Sequence, residues 1–298
     1  MIPPRGIPPT QHPGQDAEQD VIHSSIELAK RIEEAECALV AGSAADRAVN
    51  SPGEITSAEG LAGGVAVYAG DHSPLTKVAG LGFGGFPDEG TLGRIEARFT
   101  ELGSPVVVEL STLADPEMGS FLTARGYALC GFENVLGLVP ADEPGVSAAG
   151  VVVEEIGDER SAEWIGTVAT GFTTPDGQGV ASAQEFPREL IERAMADMAG
   201  LDGFTRYLAT VDGAVAGGAS MRTHRGIANL CGAATLPPYR RRGVQAALLR
   251  RRLADAAACD LAVITTQPGS QSQQNAQRRG FELLYARAIL VREPGAGG

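Results

Sequence analysis

The sequence predicts a mixed α/β protein made of two tandem domains, each a mainly antiparallel sheet flanked by helices. Three observations lead to this. The second half alternates short β-branched runs with stretches of helical period. The first half repeats part of that pattern at a fixed distance. The chain has 298 residues, 43% of them hydrophobic, which is more than one ordinary core needs and suits two.

In the second half, residues 151–155 (VVVEE) form a β-branched run and read as a strand. Residues 161–172 carry apolar side chains at helical spacing, with Ser161 as the expected N-cap. A polar, glycine-rich stretch leads to a second helix near 185–198, with Leu190, Ile191, Ala194, Met195 and Met198 along one side. Residues 204–211 and 214–221 flank Asp212-Gly213, a hairpin signal. A third strand follows at 227–236, then a helix rich in Ala, Leu and Arg at 243–258. A strand at 261–266, a helix at 270–279 and a closing strand at 281–291 complete the half.

The repeat is read from Arg125-Gly126-Tyr127 and Arg279-Gly280-Phe281, whose glycines lie 154 positions apart. The same shift sets residues 106–110 on 260–264, Ile95 and Phe99 on Leu249 and Leu253, and Val135 and Leu136 on Ile289 and Leu290. The halves therefore read as two copies of one fold, residues 21–140 and 151–293, joined by a Pro/Gly-rich linker at 141–150. Residues 1–20, rich in proline and polar side chains, are expected to be a disordered leader.

Composition narrows the function. The formal net charge of -13 and pI near 4.8 argue against nucleic acid or an anionic membrane as partner; the acidity reads first as a solubility charge, and second as an attraction for a cationic substrate such as an amine. No apolar run reaches the ~18 residues of a membrane span, and the N-terminus has no apolar signal-peptide core, so a cytoplasmic location is expected. Cys37, Cys130, Cys231 and Cys259 form no CxxC pair and lie at no metal-ligand spacing from a histidine, so they read as reduced thiols and no metal is expected.

The segment that carries chemistry is GAATLPPYRRRGVQAALL, from Gly232 to Leu249. A strand ends, two prolines stop its ladder, and a basic turn with a glycine opens a helix. Such a helix start offers unpaired N–H groups and the positive end of the dipole to a diphosphate. Gly243 removes the Cβ that blocks close approach, and Arg240, Arg241 and Arg242 add positive charge.

Here the chain resembles the GNAT (GCN5-related) N-acetyltransferase superfamily, in the tandem form with a degenerate N-terminal copy seen in bacteria. The family signature, Gln/Arg-x-x-Gly-x-Gly/Ala, is approached by Arg240-Arg241-Arg242-Gly243-Val244-Gln245-Ala246, where Gln245 takes the last small position and Ala246 follows it. The second matching block is QSQQNAQRRGFELL, residues 271–284. The resemblance implies that Arg241, Arg242, Gly243, Val244, Gln245 and Ala246 cradle the pyrophosphate of acetyl-CoA. It implies that backbone groups of Ala233 and Thr235 meet the pantetheine arm and the acetyl carbonyl, and that Asn275 touches the arm. The shift of 154 sets Phe86, Pro87, Asp88 and Glu89 under Arg240 to Gly243. Carboxylates there repel a diphosphate, so the first copy is expected to have lost CoA binding.

The implied activity is direct transfer of acetyl from acetyl-CoA, a cosubstrate, to a primary amine on a small molecule or peptide. The alternative is a catalytically inactive CoA-binding regulatory or structural module. The expected assembly is a monomer with an internal pseudo-dimer, or a homodimer, and tandem relatives often set two sheets side by side. The acidic tyrosine of many relatives falls on Ala276, and the penultimate strand, LAVITTQPG, has no carboxylate. Thr265, Thr266, Gln267 and Ser272 are poor acids and bases, and Tyr285 reads as a packed aromatic. The catalytic groups therefore stay unknown at this stage, with proximity, a water relay or the 176–189 segment all open.

Overall fold

The structure is a computed structural model and describes residues 22–141, 150–174, 177–180 and 184–295. The expected leader and nearly all of the expected linker lie outside the described residues. The first half runs α1 (Ile26–Asn50), β1 (Ser57–Leu61), β2 (Gly64–Tyr68), β3 (Lys77–Ala79), α2 (Glu89–Glu101), β4 (Val106–Ser111), α3 (Met118–Ala124) and β5 (Ala128–Leu138). The second runs β6 (Val151–Ile156), α4 (Ser161–Phe172), α5 (Arg188–Ala199), β7 (Phe204–Val211), β8 (Ala214–His224) and β9 (Ile227–Thr235). It ends with α6 (Val244–Asp255), β10 (Leu261–Thr266), α7 (Gln271–Arg278) and β11 (Glu282–Arg292).

The α/β class and the mainly antiparallel pairing are as the sequence predicts. Three details differ. Ser161 does not cap α4: a 3-10 turn at Asp158–Arg160 precedes it, Arg160 holds the cap position, and the Ser161 hydroxyl accepts a 3.0 Å bond from Arg206. α5 starts at Arg188 rather than near 185 because Pro187 sits at its N-cap in an extended conformation. α6 stops at Asp255, three residues short of the expectation. The elements α2, β4, α3 and β5 begin at Glu89, Val106, Met118 and Ala128, within a residue of a 154-position shift from α6, β10, α7 and β11.

The eleven strands form one sheet in the order β1-β2-β3-β4-β11-β5-β10-β9-β8-β7-β6. The two halves have exchanged their last strands. β5, from the first half, runs antiparallel to β10 from Ala262↔Leu138 to Thr266↔Asn134. β11, from the second, runs antiparallel to β4 from Arg287↔Ser111 to Arg292↔Val106. The two exchanged strands then pair with each other, from Glu282↔Gly137 to Val291↔Ala128. The expected side-by-side arrangement of two sheets is here a single hydrogen-bonded sheet.

Strand alternation sorts the two faces. Val108 and Leu110 of β4 pack with Leu92, Ile95 and Phe99 of α2 and Leu122 of α3. On the same side of the second half, α6 buries Ala247, Leu248 and Leu253 against Tyr207, Ala219 and Ile264. The opposite face carries α1, α4 and α5, with Leu39, Val40, Trp164, Val168 and Met198 over Val67 and Leu208.

α1 crosses the junction between the halves and buries charges. Glu33 accepts from Arg287 of β11 at 2.8 Å and from the Tyr285 hydroxyl at 2.7 Å. Lys77 of β3 donates to Glu36 of α1 at 2.8 Å and to Glu109 of β4 at 2.9 Å. Arg47, at the far end of α1, pairs with Asp197 of α5 at 3.0 Å. The neighbouring Lys77 and Arg287 outweigh burial at Glu36 and hold its carboxyl well down, at about 2.

Two outcomes follow. Arg287→Ala leaves Glu33 and Glu109 buried beside no guanidinium and is expected to cost about 3–5 kcal/mol, read as a fall in urea-unfolding free energy. Expressed alone, residues 151–295 deprive β11 of both its neighbours and β10 of one. That fragment is expected to be unstable or associated, and recovered by coexpression with residues 22–141; a monomeric fragment that melts within a few degrees of the full chain contradicts this.

Candidate functional site

β9 and β10 run parallel but pair over only three positions, Leu261↔Ile227, Ala262↔Ala228 and Val263↔Asn229. Beyond Asn229, β9 continues to Thr235 without β10 beside it, so the sheet opens into a crevice between the two strands. A bulge in β9 lies at its edge. Gly218↔Ala234 and Ser220↔Cys231 leave Ala219 opposite both Gly232 and Ala233, and Gly232 supplies the left-handed φ of 57°. The bulge is braced from both faces. The Trp164 indole donates to the Ala219 carbonyl at 3.0 Å, and the wholly buried Arg252 donates to the carbonyls of Ser220 and Cys231 at 3.1 and 3.4 Å. Burial pulls the Arg252 guanidinium down to about 10.

After β9, Pro237–Tyr239 form a 3-10 turn and the chain enters α6 through two left-handed residues, Arg241 at φ 62° and Gly243 at φ 82°. Gly243 is the N-cap and no side chain caps the terminus. The first N–H groups of α6, at Val244, Gln245 and Ala246, therefore face outward as donors. The three arginines differ in their surroundings. Arg240 donates to the Thr174 carbonyl, tying the loop to the end of α4. Arg242 pairs with Asp212 at 2.9 Å and lies over the Tyr239 ring. Arg241 is exposed and has no side-chain partner among the described residues.

The crevice lips carry two buried hydroxyl oxygens with no hydrogen-bond partner, Thr235 Oγ1 on β9 and Thr266 Oγ1 on β10. Alternation puts both on the α6 side, since Ala234 faces Gly171 of α4 and Ile264 joins the α6 core. Ala233 packs against that same core. Asn275 of α7 is half-buried, and its Oδ1 accepts from Gln271 at 3.0 Å and Arg278 at 3.1 Å. Ala276 is buried and offers no hydroxyl. Tyr285 is likewise buried, bound to Glu33, with its phenol pushed far up by burial and by that carboxylate.

One ionisable group at the crevice escaped the sequence reading because it comes from the other half. The β5–β10 ladder ends at Thr266↔Asn134, so Glu133 lies one position past it, and Gln267 Nε2 donates to Glu133 Oε1 at 3.3 Å. Burial and, next, Glu109 raise the Glu133 carboxyl to about 7, against the opposing pull of Lys77 and Arg287. No motif marks it; only the strand exchange brings it there. The connection after α4 covers this end of β10, with Val180 N–H bonded to Pro268 O at 3.0 Å.

The first half differs at the corresponding helix start. The Asp88 carboxylate caps α2, accepting from Thr91 N–H at 2.8 Å, a bond that also lowers its pKa. The glycine loop before it folds onto the β1–β2 turn through Gly84 N–H to Ala62 O at 3.0 Å. A separate cavity of about 420 Å³, lined by Thr76, Val107, Phe186, Pro187 and Leu190 among others, shares no residue with β9, β10 or α6. Among the described residues, no helix is long and apolar enough to cross a membrane, and no group of three His, Cys, Asp or Glu is placed to hold a metal.

Residues 175–281, which contain the bulge, the glycine-led turn and α7, match the acetyltransferase (GNAT) family. The whole chain has the fold of a GCN5-related N-acetyltransferase from Kribbella flavida, with a TM-score of 0.63 at 18% identity over 90% of this chain and 96% of that one. A tandem GNAT protein from the clavulanic acid biosynthesis pathway superposes with a TM-score of 0.55 at 13% identity, covering 92% and 95% of the two chains. A GCN5-related N-acetyltransferase from Sphaerobacter thermophilus gives 0.52 at 13% identity over 73% and 72%. No curated protein matches the sequence. These likenesses are of fold.

The contrast between the two helix starts is measurable. Asp88→Ala removes a side-chain cap and is expected to lower stability by about 1 kcal/mol in urea unfolding. A variant as stable as the wild type contradicts the capping role.

Proposed function

We propose that the chain is an N-acetyltransferase that moves acetyl directly from acetyl-CoA to a primary amine. The observation that carries this is the join of an uncapped, glycine-led helix start to a crevice lined by two unpaired buried hydroxyls. The first suits a diphosphate; the second suits the amides and carbonyls of a pantetheine arm. In this reading the N–H groups from Arg241 to Ala246 hold the pyrophosphate, with the exposed Arg241 and Arg242 adding charge. Ala233, Thr235 and Asn275 hold the arm, and the bulge at Gly232-Ala233 turns backbone N–H toward the thioester oxygen, where negative charge grows during attack.

The first half binds no CoA in this reading, because Asp88 already occupies the helix start with a carboxylate. Its part is to complete the sheet as the internal partner of a pseudo-dimer. The acceptor is a small-molecule or peptide amine, in keeping with the chain's net charge of -13.

Calorimetry with acetyl-CoA is expected to give one site per chain. Gly243→Glu, which forces a side chain into φ 82° and sets a carboxylate at the diphosphate, is expected to weaken binding by more than about 100-fold while the fold survives. Thr235→Val removes a hydroxyl that has no partner, so stability should hold or rise while CoA affinity drops about fivefold, the worth of one hydrogen bond. Thiol release with spermidine, an aminoglycoside, lysine and a short peptide tests transfer itself. Two sites, or unchanged affinity in a folded Gly243→Glu, sinks the assigned CoA site; tight binding with no transfer to any amine favours the module without turnover.

A further inference from the structure

We infer that Glu133, carried by the first half's exchanged strand, is the general base that takes the proton from the acceptor ammonium at the second half's crevice. This rests on the acetyltransferase reading above. β5 is the neighbour of β10 on the side away from β9. Thr265 pairs with Val135, so Val135, Glu133 and the Gln267 that binds Glu133 share one face of the sheet. That face is the one α1 covers, since Val135 and Val263 pack with Ala29 and Ile32. It lies opposite α6 and the proposed diphosphate site. An acyl group threaded through the crevice from the α6 side meets, on the far side, the end of β10, where Thr265 is exposed and Glu133 stands.

The electrostatics suit the task. Glu133 is faced by Glu109 from β4, Lys77 from β3, Arg287 from β11 and Glu36 from α1. Both cations are engaged elsewhere: Lys77 by Glu36 and Glu109, Arg287 by Glu33 at 2.8 Å and Glu109 at 3.6 Å. Among the described residues Glu133 forms no ion pair, and its one hydrogen bond comes from the neutral Gln267 at Oε1, leaving Oε2 without a donor. Burial and Glu109 hold its carboxyl at about 7. A carboxylate poised there accepts a proton near neutral pH, whereas an ordinary glutamate is too weak a base.

The step balances as follows. Glu133 carboxylate takes one proton from R–NH3+, giving R–NH2 and a carboxylic acid that later releases the proton to solvent. The amine lone pair forms the C–N bond to the thioester carbon, and the C–S bond breaks with its electron pair on sulfur. A second proton from the nitrogen neutralises the thiolate, giving amide and CoA thiol.

The test uses the full chain, acetyl-CoA and the best amine of the panel, with kcat/KM followed from pH 5.5 to 9. The wild type is expected to rise through a limb near pH 7. Glu133→Gln should lose that limb and fall by about 10²-fold or more, with KM for acetyl-CoA unchanged. Glu133→Asp should keep the limb at reduced kcat. Folding is checked separately. The raised pKa means that stability falls as pH climbs from the ordinary carboxylate range through about 7, so Glu133→Gln should melt no lower than wild type at pH 5.5 and higher at pH 8.5. If Glu133→Gln keeps the limb, whether at full rate or with a uniform loss, Glu133 is not the base. A wild type that binds acetyl-CoA and acetylates no amine overturns the activity reading as well as the base.

Discussion

The structure depends on one act of hydrogen bonding, the antiparallel pairing of β5 with β11 at the centre of the sheet. Each strand ends one half of the chain, and each pairs on its other side with the penultimate strand of the opposite half. No half can therefore satisfy its own backbone. If the halves separate, β5 loses β10, β11 loses β4, and both lose each other. Separation breaks the central ladder and uncovers the apolar faces packed around it, so the halves are joined by more than a flat contact between two finished domains. The exchange thus turns what is ordinarily a docking interface into continuous secondary structure.

Charge follows from that arrangement. β11 brings Arg287 into the middle of the molecule, where water is absent and an isolated guanidinium is costly. α1 answers it with Glu33, and Lys77 answers Glu36 and Glu109 in the same buried layer. Such a layer adds little to stability over a well-packed apolar one. It does make register strict, because a slip of one residue on β11 turns Arg287 to the other face. Glu133 is the acid left over in this layer, and its raised pKa is the residue of a local balance in which the cations are already claimed.

Much of the second half was legible. The strands over Phe204–Val211 and Leu261–Thr266 and the helix over Ser161–Phe172 match the sequence periodicity to the residue. The turn at Arg240 to Gly243 was readable because its backbone requires unusual residues, a glycine with positive φ after a proline pair. α1 was not legible, since Glu33 and Arg47 sit among its buried positions and spoil the apolar stripe that marks a helix. Nor was the exchange. Alternation along Ala128–Leu138 says that the segment is a strand, but which strand lies beside it is decided by long-range packing that no local pattern records. Ser161 illustrates a smaller limit: a hydroxyl near a helix start suits a cap or a tertiary bond, and Arg206 is what claims it.

The same exchange bears on what the first half contributes to the second. A copy whose only task is to shield apolar surface can be trimmed or replaced by a helix. Here the first half supplies the strand that pairs with the edge of β10 turned away from the crevice, because β5 stands between β11 and β10. The Asp88 cap on α2 sits on a separate element from β5. The start of α2 can therefore change without disturbing the β5–β10 pairing on which the central sheet depends.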